Sequence, residues 1–160
     1  IAGRRILLLG AGGAARGVIA PLLAEGPKDL TIANRAVGRA RALEQRFDPH
    51  FGQGVSARVR ASTYDALSGS QFDIVVNATS ASLTGALPPM PRGVFAAGSL
   101  AYDMMYGSGL TPFLEWARGH GAGITADGLG MLIEQAAESF FVWRGIRPLT
   151  AAVFASLRAA

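Results

Sequence analysis

One hundred and sixty residues, half of them hydrophobic, suffice for one domain with a sizeable core and exclude wholesale disorder. Cysteine is absent and histidine is limited to His50 and His120, which excludes disulfide staples, thiolate metal sites, a cysteine nucleophile and a histidine-rich metal cluster. The net charge of +4 lies wholly in residues 1–80, with ten basic and six acidic side chains against five of each afterwards; this modest excess suits a small anionic ligand better than nucleic acid.

Lys28 is the only lysine among fifteen basic residues, a bias that genome composition explains. The longest apolar run near the start, Ile6 to Leu9, is four residues, far short of a membrane span. No charged-then-apolar leader precedes it, and a soluble cytoplasmic chain is expected. The chain begins at Ile1, without methionine and directly before a strand, which leads to the expectation of a domain cut from something longer.

In chain order, Ile6 to Leu9 reads as a buried strand ended by a glycine turn. A helix follows from Gly13, with Ala14, Ala15, Val18, Ile19, Leu22 and Leu23 at helical spacing; Pro21 should kink it and Gly26-Pro27 should end it. Leu30 to Ala33 is a second strand, and a helix from about Ala36 to Phe47 presents Ala36, Ala40, Leu43 and Phe47 on one side. Val55 to Val59 is expected as the third strand and Phe72 to Asn77 as the fourth, with a proline-rich loop over Leu83 to Gly93. Ser99 to Tyr102 is the fifth strand, Pro112 to His120 a helix, and Gly123 to Ala126 a short sixth strand. Helices then cover Leu129 to Trp143, which has an unusually wide apolar surface, and Leu149 to Leu157. Short apolar strands alternating with helices imply parallel pairing under right-handed crossovers: a doubly wound, mostly parallel α/β sheet of about six strands with helices on both faces.

The first strand–helix junction, Gly10-Ala11-Gly12-Gly13-Ala14-Ala15, is a G-x-G-x-x-A string in the context that gives such strings meaning. The first glycine permits the tight turn, the second lets a pyrophosphate approach the backbone, and the small third position lets helix pack on strand; this is the Rossmann-like dinucleotide pattern. An NAD site usually carries Asp or Glu about 20 residues past the glycines for the ribose 2′-hydroxyl. Here the second strand ends in Asn34-Arg35, followed by Arg39, so two guanidinium groups four residues apart can converge on one anion, and NADP is expected over NAD.

Two further strings, Asn77-Ala78-Thr79-Ser80 and Tyr102-Asp103-Met104-Met105-Tyr106, end the fourth and fifth strands at the rim where open α/β sheets bind ligands, and a third, Ala126-Asp127-Gly128-Leu129-Gly130-Met131, leads into a helix with Gln135. Met131, Gln135 and Ser139 share one side of their helix. In this order, with Asn34-Arg35 and Arg39, these strings resemble the NADP-binding and C-terminal part of shikimate dehydrogenases from Gly10 to about Arg158. The resemblance implies NADPH-dependent reduction of 3-dehydroshikimate to shikimate, in the cytoplasm. It also implies that Gly10, Ala11, Gly12, Gly13 and Ala14 hold the pyrophosphate, and that Asn34, Arg35 and Arg39 hold the 2′-phosphate and its ribose. Thr79 and Ser80 would line the adenosine side, Met104 and Gly128 would flank the nicotinamide, and Tyr106 and Gln135 would reach the substrate. Residues 1–126 would form the cofactor domain, and the helices of 127–160 would pack against a preceding substrate domain of about a hundred residues. That domain carries the family's lysine and aspartate at the reacting carbon. Lys28 matches no such motif, so no catalytic acid or base, and no metal site, is assigned here. A homodimer of the full-length enzyme is a further expectation. The alternatives are a quinate/shikimate dehydrogenase using NAD, against which Arg35 and Arg39 argue, and a non-catalytic NADP-sensing module, against which Tyr106 and Gln135 argue.

Overall fold

Four consecutive aliphatic residues, Ile6 to Leu9, can be buried together only in a strand covered on both sides. In the computed structural model, which describes residues 1–51, 58–81 and 86–159, they are completely buried in the central strand β1 (Arg5–Leu9). There follow α1 (Gly13–Ala24), β2 (Asp29–Ala33), α2 (Val37–Phe51), β3 (Arg58–Ser62), a 3₁₀ turn (Asp65–Leu67) and β4 (Phe72–Asn77). The second half contains β5 (Phe95–Asp103), α3 (Pro112–Gly119), β6 (Ile124–Ala126), α4 (Leu129–Arg144) and α5 (Ala151–Ala159). The six strands pair in parallel in the order β3-β2-β1-β4-β5-β6.

Alternate residues of β1 point to opposite faces of the sheet. Ile6 and Leu8 join Ala15, Ile19 and Leu23 of α1 and Ala40 and Leu43 of α2 in one core. Leu7 and Leu9 join Tyr64, Phe72, Phe113 and Leu114 in the other. Each buried aliphatic side chain contributes about 1.5–3 kcal/mol, and the doubly wound reading holds. The start of α3 shows how locally the helices are specified: Pro112 occupies its first turn, and the Thr111 hydroxyl accepts a hydrogen bond from the Leu114 amide at 3.3 Å.

The structure shifts several boundaries. β3 runs to Ser62, because Asp29–Ala33 of β2 pair residue by residue with Arg58–Ser62; Val55 to Ala57 of the expected strand lie outside the described residues. β5 begins at Phe95, four residues before expectation. Phe72 pairs with Phe95 but Ile74 with Leu100, so β5 carries extra residues around Gly98 that look like a break in the sequence. α1 passes through Pro21 to Ala24, and α2 extends beyond Phe47 to Phe51. Ala36 precedes α2 and is exposed, whereas Ala40 and Leu43 are buried and Phe47 packs against the core. The loop expected over Leu83 to Gly93 has no helix or strand from residue 86 on; residues 83–85 lie outside the described residues.

The last two helices differ from the rest. α4 buries Leu129, Ile133 and Ala137, but Val142 and Trp143 are 71% and 79% exposed. α5 leaves Val153, Phe154 and Leu157 exposed, and an apolar groove of about 310 Å³ runs between the two helices. Contiguous apolar exposure of this kind marks a surface made for contact. Among the described residues no helix is long and apolar enough to cross a membrane.

Candidate functional site

β1 and β4 are neighbours, yet the chain leaves β1 toward β2 and leaves β4 toward β5. The crossovers diverge at the carboxyl ends of these two strands, and a crevice opens there. Gly10 stands at its base with φ +100°, and a Cβ there would lie 3.0 Å from the Ala78 carbonyl oxygen. Only glycine lets the end of β1 pass so close to the end of β4. Its amide donates to the Ala33 carbonyl at 2.8 Å, and the Ala78 amide donates to the Leu9 carbonyl at 2.9 Å. α1 then begins with no side-chain cap and no acidic residue in its first turn. A Cβ on Gly12 or Gly13 would meet nothing within 4 Å, so the unpaired first-turn amides have open space before them. Such a helix start, at the positive end of the macrodipole, suits a phosphate.

That space is a cavity of about 500 Å³ lined by Gly10, Ala11, Gly12, Gly13 and Ala14, with Asn34, Arg39, Ala78, Thr79 and Ser80 toward one end and Met104, Met105 and Met131 toward the other. An adjoining cavity of about 610 Å³ shares Asn34, Arg39, Thr79 and Ser80 and adds Arg35, Tyr64, Pro88 and Pro89. The Asn34 side-chain amide donates to the Ala36 carbonyl at 2.9 Å, holding the turn that presents both arginines. Burial pushes the Tyr64 phenol above its ordinary pKa, and the Arg35 guanidinium partly offsets this, so a neutral phenol lies beside that arginine. The cleft is thus cationic at one end, rich in backbone donors in its middle and thioether-lined at the other. A phosphorylated adenosine, a pyrophosphate and a nicotinamide ring need those three environments in that order, so the residues fit NADP.

The far wall rests on a buried polar network. Asn77 and Asp103, at the ends of β4 and β5, are fully buried. The Asn77 amide donates to Asp103 Oδ1 at 3.0 Å, and the Thr79 hydroxyl donates to Asn77 Oδ1 at 2.7 Å. The Met105 amide donates to Asp103 Oδ1 at 3.1 Å, and the Thr111 hydroxyl donates to Oδ2 at 2.5 Å. A buried carboxylate is tolerated when donors surround it in this way. One network therefore holds Thr79 on one wall and Met104-Met105 on the other. Behind Met104 lies Gly128, whose amide donates to the Met105 carbonyl at 3.0 Å and whose missing Cβ would fall 2.2 Å from the Met104 oxygen. Burial, then the carboxylates of Asp127 and Asp103, push the Tyr102 phenol upward, which keeps it neutral beneath this rim.

Of the residues singled out in the sequence, Gly10, Ala11, Gly12, Gly13, Ala14, Asn34, Arg39, Thr79, Ser80 and Met104 line the first cavity, and Arg35 lines the second. Gly128 is buried behind the wall. Tyr106 and Gln135 line neither cavity and are exposed. Sequence reasoning missed Tyr64, Met105 and Met131 as lining residues. Met131 carried a signal, since it shares a helix side with Gln135; Tyr64 belongs to none of the strings or periodic stretches that the sequence offers.

Residues 1–85 match the family described as shikimate / quinate 5-dehydrogenase, and residues 128–158 match the shikimate 5′-dehydrogenase C-terminal domain. The chain is 62% identical over 159 residues to a shikimate dehydrogenase (NADP(+)) of Dechloromonas aromatica (strain RCB), covering 99% of this chain and 56% of that protein. Among solved structures it is similar to an Ael1 enzyme from Pseudomonas putida, at 53% identity and a TM-score of 0.83, covering 98% of this chain and 55% of the other. It is also similar to the ligand-free 5-ketofructose reductase of Gluconobacter sp. strain CHM43, at 30% identity and a TM-score of 0.78, over 99% and 57% of the two chains. The chain spans little more than half the length of the relatives it matches. With the first family model covering more than half of its residues, and the glycine turn and arginine pair inside that stretch, the chain belongs to the shikimate / quinate 5-dehydrogenase family.

Proposed function

We propose that this chain is the cofactor-binding part of an enzyme that reduces 3-dehydroshikimate to shikimate with NADPH. The observation that carries the reading is the three-zone cleft, with Arg35 and Arg39 at one end, the uncapped start of α1 in the middle and Met104, Met105 and Met131 at the other. Gly10 to Ala14 hold the pyrophosphate, and Asn34, Arg35 and Arg39 hold the 2′-phosphate and its ribose. Thr79 and Ser80 line the adenosine side, while Met104 and Gly128 flank the nicotinamide. The bound cofactor supplies the hydride. The methionine wall keeps water from the ring, and Tyr106, next after Met105, and Gln135, one helical turn beyond Met131, reach outward to the substrate. The choice of shikimate rests on the named reactions of the curated relatives, because a 5-ketofructose reductase shares this half of the fold.

Residues 1–126 act as the cofactor domain, and the exposed apolar residues of 127–160 cover a substrate domain that lies outside this chain. Hydride addition to a carbonyl builds negative charge on oxygen, which a positioned proton donor must relieve. This chain is assigned none. The cytoplasmic setting and the homodimer remain part of the proposal.

The purified 160-residue chain should therefore bind NADPH in titration calorimetry yet show no steady oxidation of shikimate with NADP. Turnover by the chain alone would defeat the division of labour, and failure to bind either dinucleotide would defeat the cofactor reading. In the full-length enzyme, Gln135→Ala should raise the Michaelis constant for shikimate about tenfold and leave that for NADP nearly unchanged. An unaltered shikimate constant would return Gln135 to the solvent-facing role its exposure also permits.

A further inference from the structure

We propose that Arg158, on the last helix, is a positioning residue for the nicotinamide end of the cleft, acting through Asp127 and Gly128. The inference rests on the cofactor reading above. Arg158 lines neither cavity of the cleft. Its guanidinium forks onto the Asp127 carboxylate, Nη1 donating to Oδ2 at 2.9 Å and Nη2 donating to Oδ1. The Asp127 side chain is only 4% exposed, and its Oδ1 also accepts the amide of Leu129, the first residue of α4, at 3.2 Å. The arginine is itself held in place. Its guanidinium carbon lies 5.4 Å from the centroid of the Phe154 ring, and that ring packs 3.8 Å from where a Cβ on Gly130 would stand.

Asp127 joins directly to Gly128, which cannot shift alone. Its amide is bonded to the Met105 carbonyl, and its Cα side presses on the Met104 carbonyl with no room for a methyl group. Met104 and Met105 are the cavity wall. A nearly buried carboxylate stripped of its cation must turn toward water or take up a proton. Either response moves the residue beside Gly128 and hence the wall. Removing both charges leaves no buried charge without a counterion, so the double change should cost less than the single one.

The test uses the full-length protein with two ligands: NADPH, and adenosine 2′,5′-bisphosphate, which has no nicotinamide. Arg158→Met should weaken NADPH about tenfold, equivalent to about 1.4 kcal/mol, and leave the bisphosphate affinity within about twofold. The emission of bound NADPH should move toward that of the free cofactor, and kcat should fall while KM for shikimate holds. Arg158→Lys, which keeps a charge, should restore part of this, and the double variant Asp127→Asn with Arg158→Met should recover further. Unchanged NADPH affinity and emission in Arg158→Met would overturn the proposal. Equal weakening of both ligands, or a double variant no better than Arg158→Met, would reduce Arg158 to a staple for α5 and overturn it as well. If the parent protein binds no adenosine 2′,5′-bisphosphate, the cofactor reading fails first and takes this inference with it.

Discussion

Replacing Arg35 and Arg39 together by alanine should abolish most of the preference of this chain for NADP over NAD. Arg35 and Arg39 line the cavity beside Thr79 and Ser80, and among the described residues of its lining there is no Asp or Glu to oppose a phosphate. A hydrogen bond to a charged group is worth about 1.5–3 kcal/mol net, and solvent at this exposed rim reduces the yield of two such contacts to about 3 kcal/mol together. That corresponds to roughly a hundredfold in relative affinity. Asn34 still holds the turn before α2, so the fold and the binding of NAD should be little affected. Titration calorimetry with both dinucleotides checks this; equal affinities in the unmutated chain would sink the assignment of the arginine pair.

Gly128→Ala and Gly130→Ala should have opposite effects although the two glycines are two residues apart. Gly128 has φ −78°, which any residue adopts, so its constraint is space alone. A methyl group would stand 2.2 Å from the Met104 carbonyl oxygen and 2.7 Å from its carbon, both backbone atoms. The end of β5 or the start of α4 must move, breaking the bond from the Gly128 amide to the Met105 carbonyl. Overpacking of about 1–3 kcal/mol plus about 1 kcal/mol for the hydrogen bond makes a loss of about 3 kcal/mol, a large share of a typical domain's stability. A methyl group on Gly130 meets only Phe154 Cε2, at an ordinary 3.8 Å, and alanine inside a helix gains about 0.5–1 kcal/mol over glycine. Urea unfolding of the two variants measures the difference, and similar midpoints would show that the Met104 backbone yields easily.

What the sequence makes plain is what neighbours along the chain determine. β1 is readable because a strand buried on both faces has no polar alternation, and the glycine turn and arginine pair are readable because each is a local pattern with one chemical use. The start of β5 is not, since its pairing with β4 opposes unequal numbers of residues and Gly98 interrupts the run. Nor is the role of Asp103, whose partners Asn77 and Thr111 lie 26 and 8 residues away and meet it only in the folded sheet. Tyr64 reaches the adenosine end from a connection beyond β3, a placement that no periodicity encodes. Tyr106 and Gln135 stand exposed, and their roles come from the resemblance rather than from spacing.

Among the described residues every strand pairing but one joins strands that follow each other in the chain; the exception is β1 with β4, whose contact from the Arg5 amide to Asp73 spans 68 residues. Each doubling of a closed loop costs only about 0.6 kcal/mol, so the final balance is little affected. Folding speed is another matter, because distant pairings must be closed before they are rewarded. Two halves, β1 to β3 and β4 to β6, can each gather their own neighbours early, and their meeting along β1 and β4 is expected to be the late, rate-setting event, which slower refolding on weakening that seam would check. The same seam is the floor of the cleft, so a chain that has not completed this one registration has sheet edges and helices but no place for a dinucleotide.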